Sequence, residues 1–214
     1  MTASRFWAWG KRFATSQITE DGDALDIPKV QLVSAAGVDA SPPALGPKPA
    51  ATSMPVVPAG IYATVSFTPI AGAYSINDTM GTAQEFVFTY GDGTAIPTGS
   101  LIRILTAILR VDQTALQTAE GAYQLQTYGV TPPSALADNA AWTLSSADLP
   151  SHRGPIALGT PVDLGAACYV KTPNVDLDIR LTGVSLFAYL QTLAGLTVAA
   201  SPAVRQVTLY GIVL

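Results

Sequence analysis

"VDLDIRLT", residues 175–182, alternates without a break. Val175, Leu177, Ile179 and Leu181 fall on one side, and Asp176, Asp178, Arg180 and Thr182 on the other. A period of two is the period of a β-strand, and one dry face opposite one wet face is the pattern of an antiparallel sheet over a core. In "AYQLQTY" (122–128), Tyr123, Leu125 and Thr127 oppose Gln124, Gln126 and Tyr128. Working outward, strands are expected at 61–67, 73–78, 84–90, 101–112, 122–128, 153–159, 167–172, 175–182, 184–192 and 203–214. The stretches between them carry Gly, Pro and Asn turn signals: "YGDGT" (90–94), "IPTGS" (96–100), "GVTPPS" (129–134), "KTPN" (171–174) and "AASPA" (199–203). Many short strands with this punctuation predict an all-β sandwich over residues 61–214.

One segment is ambiguous. In "LIRILTAILR" (101–110), Arg103, Thr106 with Ala107, and Arg110 also trace a helical polar stripe. Its β-branched residues and the glycines around it favour a strand.

Residues 1–60 differ from the rest. They open on "RFWAWGKRF" (5–13), pass through the acidic "TEDGDALD" (19–26), and reach a short alternating run, "IPKVQLV" (27–33), read as one short strand. Then come Pro42, Pro43, Pro47, Pro49, Pro55 and Pro58. Each fixes φ and removes a backbone donor, so this stretch is neither helix nor central strand. It is expected to be an extended, partly polyproline arm, with a disordered linker as the alternative. Phe6, Trp7, Trp9 and Phe13 beside Arg12 suit a protein partner; packing against the chain's own sandwich is the alternative. Val30 and Leu32 lie in the strand that could add to a neighbour's sheet edge.

Composition narrows the classes. Of the 214 residues 12% are charged and 49% hydrophobic, against roughly 25% charged in ordinary soluble domains. Mean hydropathy is +0.33. So few charges point to a surface partly covered by other chains. Net charge is −4, with no basic stripe of the kind that neutralises phosphates, so no nucleic-acid partner is expected. No membrane partner is expected either: the start lacks an apolar leader core, and "VSLFAYLQTLAGLTVAA" (184–200) is broken by Gln191 and Gly195 into strand plus turn. Cys168, the one cysteine, sits in an apolar run and reads as a buried, inert thiol.

Catalytic and metal constellations are thin. The only histidine, His152, lies near Ser145, Ser146 and Asp148, but no G-x-S-x-G elbow exists. This stretch is read as a long inter-strand connection held by Trp142 and Leu144, with Ser146 capping a short helical turn. Asp176 and Asp178 lie ~7 Å apart along one strand, as a carboxylate pair or two cation ligands could. The same spacing is ordinary on a wet strand face. "NDT" (77–79) and "GDG" (91–93) offer oxygen ligands without a Ca²⁺ loop. No enzymatic activity, cofactor or metal is expected.

Two stretches resemble a known family. "PKVQLVSAAGVDASPPALGPKPAATSMPVVPAG" (28–60) is similar to the N-terminal segment of small tailed-bacteriophage virion proteins, with "SAAGVD" at its turn and "SMPVV" at its end. Residues 122–192 resemble the sandwich of phage structural proteins through Leu125, Tyr128, Pro132, Pro133, Asp138, Asn139, Ala141, Trp142, Gly154, Ile156, Leu158, Phe187 and Leu190. "SALADNAAWTL" (134–144) carries the match best. "RFWAWGKRF" and the proline arm depart from the pattern.

The resemblance implies a jelly-roll-like antiparallel β-sandwich preceded by an extended Pro-rich N-terminal arm, and a place on the virion. Asp138 and Asn139 would form a turn, capping their own backbone, and Trp142 would plug the sandwich end. The expected role is capsid decoration, cement or head-fibre base. The arm would attach to the major capsid protein or another virion protein, and the chain would form a homo-oligomer, a trimer. The alternative is a tail-fibre, adaptor or glycan-binding module, with Tyr90 beside Asp92 or Tyr74 beside Asp78 as sugar platform.

Overall fold

The computed structural model describes residues 60–200 and 202–214 throughout, and within residues 1–59 the backbone of four short strands. The chain divides into two units, Met1–Met54 and Pro55–Leu214.

In the first unit β1 (Trp7–Ala8) pairs antiparallel with β2 (Lys11–Arg12), and β3 (Ala14–Glu20) with β4 (Asp23–Lys29). The acidic stretch therefore supplies paired strand ends, with Glu20 against Asp23. The strand expected at 27–33 shares Ile27–Lys29 with β4; Val30, Leu32 and the prolines lie outside the described residues.

The second unit is all-β. Its strands are β5 (Gly60–Phe67), β6 (Gly72–Tyr74), β7 (Thr79–Val87), β8 (Thr89–Tyr90), β9 (Leu101–Val111), β10 (Tyr123–Tyr128), β11 (His152–Gly159), β12 (Val162–Asp163), β13 (Cys168–Arg180), β14 (Ser185–Thr192), β15 (Leu196–Val198) and β16 (Arg205–Val213). One sheet runs β11-β10-β14-β7 and the other β12-β13-β9-β16-β5-β8, with every pairing antiparallel. Counting only the long strands β5, β7, β9, β10, β11, β13, β14 and β16 as first to eighth, the sheets read second-seventh-fourth-fifth and first-eighth-third-sixth. That interleaving is the double Greek key of a jelly roll. β6 and β15 add a two-stranded ribbon.

The core lies between the sheets. Ile61, Phe67, Ile102, Ile104, Leu109 and Leu209 from the larger sheet belong to the same buried cluster as Met80, Phe86, Leu125, Ile156, Leu186 and Leu190 from the smaller. The opening stretch keeps its predicted phase: Ile179 and Leu181 are buried, Val175 and Leu177 half-buried, and Asp176, Asp178 and Arg180 exposed.

Several boundaries differ from expectation, for physical reasons. "ACYVKT" and "VDLDIRLT" are one strand, β13. Asn174 and Asp176 adopt left-handed φ values of 57° and 49°, and the register with β9 jumps between Pro173 and Leu177. The "KTPN" turn signal is thus a bulge inside a strand. The ambiguous 101–110 segment is strand, and its mixed periodicity also records a bulge: Thr106 pairs with Tyr210 but Ile104 with Gly211, leaving Leu105 unpaired. "AYQLQTY" is not half wet. Leu125, Gln126, Thr127 and Tyr128 are all buried, because the connection 129–151 covers the outer face of the smaller sheet.

Candidate functional site

The connection between β10 and β11 carries the residues the sequence singles out in the sandwich. Its middle part is tied to β7 and to the turn that precedes it. Asn139 and Trp142 donate backbone N–H bonds to the carbonyls of Thr79 and Asn77, and Thr79 donates back to that of Ala140. The Thr79 hydroxyl adds bonds to the carbonyls of Ala137 and Ala140.

Asp138 sits at the centre of this tie. Its carboxylate accepts from the Ile70 N–H at 2.7 Å, the Tyr74 hydroxyl at 2.8 Å and the Gly81 N–H at 2.7 Å. These partners replace the expected cap on its own backbone. One carboxylate therefore joins the loop after β5, the β6 ribbon, β7 and the connection. Gly81 has φ +74°, and a Cβ there would meet the Thr68 backbone at 3.4 Å, so glycine brings the N–H to Asp138 without strain. Asn139 does form a turn, at φ 60°, and its amide donates to the Ala73 carbonyl.

Trp142 is half-buried and donates its indole N–H to the Tyr128 hydroxyl at 3.0 Å. Leu144, expected to pack beside it, is exposed. Ser145 takes the capping place given to Ser146: its hydroxyl and carbonyl accept from the Asp148 N–H, and its carbonyl also from the Leu149 N–H.

His152 opens β11 and faces a polar ladder across the smaller sheet. The Gln191 amide donates to Asn77 Oδ1 at 3.3 Å, the Gln126 amide donates to Gln191 Oε1 at 2.8 Å, and Gln126 Oε1 faces His152 Nε2 at 3.2 Å. Because the Gln126 nitrogen is committed to Gln191, its oxygen accepts, and His152 Nε2 carries the proton. The ring lies edge-on to Tyr128 and tilted against Trp142. Burial lowers the imidazole below its ordinary value, and neighbouring Arg153 adds to this against the pull of Asp148. Asp148 is fully buried, and Oδ1 accepts from the Ser134 N–H at 3.0 Å. Burial works to raise its carboxyl; the polar groups of Ser134 and Ser145 and the His152 charge outweigh this and hold it below the usual range. His152 is thus bonded to an amide ladder, with no serine as its partner.

The other candidates resolve into structural roles. Asp178 receives Arg103 through Nε at 2.6 Å and Nη2 at 2.7 Å, and Asp176 lies 3.4 Å from the same Nε. Asp92 accepts from the Thr94 N–H and hydroxyl, and Asp78 from the Ser75 N–H. Among the described residues no group of three or more His, Cys, Asp or Glu is placed to hold a metal, and no helix is long and apolar enough to cross a membrane. Cys168 is buried, donates to the Gln113 carbonyl, and burial raises its thiol. Tyr74 and Asp78 are both buried, which corrects their reading as a sugar platform. In the first unit Trp7 pairs with Arg12 across β1 and β2; Phe6, Trp9 and Phe13 lie outside the described residues.

Two features had no signal along the chain. Glu120 and Arg205 form a fully buried ion pair at 3.1 Å, completed by the Tyr123 hydroxyl, the Gln117 N–H and the Gln113 amide. A cavity of about 450 Å³ opens where the larger sheet ends, lined by Arg110, Leu164, Cys168, Tyr169, Val204 and Gln206 among others.

No family model matches the chain, and no curated protein matches it. Among solved structures it is similar to a chain of the "Structure of Triatoma Virus (TrV)", at 12% identity and a TM-score of 0.27, over 96% of this chain and 85% of that one. The jelly roll rests on the strand order alone.

Proposed function

We propose that this chain is a structural protein of a bacteriophage virion, a decoration, cement or head-fibre-base protein that attaches through its N-terminal segment and assembles as a homotrimer. No chemical step is part of this role. The fold is compatible with it and does not decide it, since jelly rolls serve capsids, lectins and enzymes alike. The observation that carries it is the exposed apolar surface on a chain with few charges. Val162, Leu164 and Val204 are 60%, 67% and 37% exposed at one end of the larger sheet, and Leu164 and Val204 line the cavity. Exposed apolar side chains gathered at one end of a sheet, beside Arg110, Asp112 and Gln206, suit contact with another protein. The resemblance through "SALADNAAWTL" supplies the virion context.

Deleting residues 1–26 tests the attachment. The shortened chain should keep its β-sheet circular dichroism and its cooperative unfolding, yet fail to co-sediment with particles that bind the full chain. Equal co-sedimentation would reject attachment through this segment.

A glycan-binding receptor module is the second reading. Tyr62 and Tyr210 favour it: they stack at 6.4 Å on the outer face of the larger sheet, both exposed, beside the hydrogen-bonded Thr64 and Thr208.

A further inference from the structure

The register lays out the outer face of the larger sheet in rows. Tyr62 pairs with Tyr210, and Tyr210 with Thr106. Two residues along, Thr64 pairs with Thr208, Thr208 with Ile108, and Ile108 with Lys171. Two further, Gln206 pairs with Arg110, and Arg110 with Tyr169. Directly paired residues share a face, as do residues two apart on one strand. All of these are exposed or half-buried, while Ala63, Ala107, Leu109, Val207 and Leu209 between them are buried.

One feature of this face is its aromatic pair. Tyr62 and Tyr210 are 38% and 44% exposed, with ring centroids 6.4 Å apart and planes inclined by 30°. An exposed tyrosine offers a ring to the C–H side of a sugar and a hydroxyl to its polar edge. The neighbouring Thr64 and Thr208 hydroxyls lie 2.9 Å apart. The remaining side chains of these rows are mostly hydroxyls and amides, too polar for the desolvated centre of a protein interface.

The other feature is charge. Arg110 and Lys171 are the charged side chains of these rows, and both are exposed. They are diagonal neighbours, since Arg110 pairs with Tyr169, two residues before Lys171. Among the described residues neither meets a carboxylate: the ion pairs join Arg103 to Asp176 and Asp178, and Arg205 to Glu120. Arg110 donates from Nη2 to the neutral Gln206 Oε1 at 2.7 Å, which leaves its charge uncompensated. The other carboxylates nearby lie outside the rows: Asp163 accepts from the Gly165 N–H, and Asp112 follows the last residue of β9.

We propose that this face binds a carboxylate-bearing oligosaccharide, with a sugar ring on Tyr62 and Tyr210 and a carboxylate against Lys171 and Arg110. The proposal rests on the glycan-binding reading and names the ligand class for it. Charge complementarity selects that class. Carboxylates accept from the hydroxyls of neutral sugars, and these rows hold none. Their two cations supply donors alone, and the strongest partner for such donors is an anionic oxygen. Two strand spacings and two residues separate Tyr210 from Lys171, ~12 Å at the backbone. The ligand is therefore a chain of linked sugars and not a single ring.

Binding of the full chain to an array of uronate- and sialate-bearing oligosaccharides tests this, each printed beside its carboxyl-reduced counterpart. The reduced forms keep the rings and lose the charge. They should bind roughly tenfold more weakly or worse, and raising NaCl from about 0.05 M to about 0.5 M should remove most of the difference. Replacing both cations, Lys171→Gln with Arg110→Gln, should abolish the preference for acid at an unchanged thermal midpoint. Tyr210→Ser should weaken acidic and reduced forms alike; should it not fold, the double variant and the salt series still decide. Equal binding of acidic and reduced forms would overturn the acidic class and leave the glycan reading standing. Binding of no member would overturn both. A preference that survives in the double variant would overturn the placement. So would light scattering that shows oligomers dissociated by these substitutions, since a second copy would then cover the face.

Discussion

Asp138 supports more of this fold than its half-buried position suggests, because its three donors come from three separate stretches of backbone. Asp138→Asn keeps the shape but turns one acceptor into a donor and removes the charge. It should destabilise the sandwich by about 2–4 kcal/mol, read as a lowered urea midpoint with an unchanged slope. The residue itself was legible as part of "ADNAAW". Its partners were not, since they lie 57, 64 and 68 positions away and nothing along the chain marks them.

Glu120 and Arg205 were invisible for the same reason. Burial works to raise the Glu120 carboxyl, but the Tyr123 hydroxyl, the Gln117 N–H, Arg205 and Gln113 outweigh it and hold it below its ordinary 4.5. A depressed carboxylate stabilises the fold above its unfolded value and loses that contribution as pH falls through the folded one. Stability should therefore fall with acid below about pH 4.5, and Glu120→Gln should flatten this slope in urea titrations. At neutral pH that variant leaves Arg205 buried and unpaired, at a cost of about 3–5 kcal/mol.

At the scale of elements, what misleads is bulges and coverage. β9 looked half helical because Leu105 is an extra residue that shifts the alternation: Ile102 and Ile104 point inward before it, Ala107 and Leu109 after it. Ile104→Ala should cost about 2–5 kcal/mol, and Leu105→Ala within about 0.5 kcal/mol of nothing. Equal losses in thermal unfolding would deny the bulge. The "KTPN" signal was chemically sound, since Asn174 does take a left-handed φ, but it marks a kink in β13 and not its end. "AYQLQTY" shows the other limit: its glutamines looked wet because a strand cannot display the connection that covers it. The short β12 and β15, of two and three residues, were too brief to show a period. The pairing of β3 with β4 was hidden by the acidic run at their paired ends.

At the scale of the whole molecule, the all-β sandwich was legible because alternation and turn residues recur along most of residues 61–214. The jelly-roll order was implied only by resemblance; the pairings of β16 with β5 and of β14 with β7 establish it. Function is less legible, because a sandwich presents its use through surfaces, and a surface reads as composition. The low charge and the exposed Val162 and Leu164 speak for burial against other chains. Cryo-electron microscopy of the native particle that carries this chain tests that claim most directly. Jelly rolls ordered on the head lattice, with residues 1–54 against neighbouring virion subunits, are the predicted result. Particles purified from the same source with no copy of the chain on head or tail would contradict it.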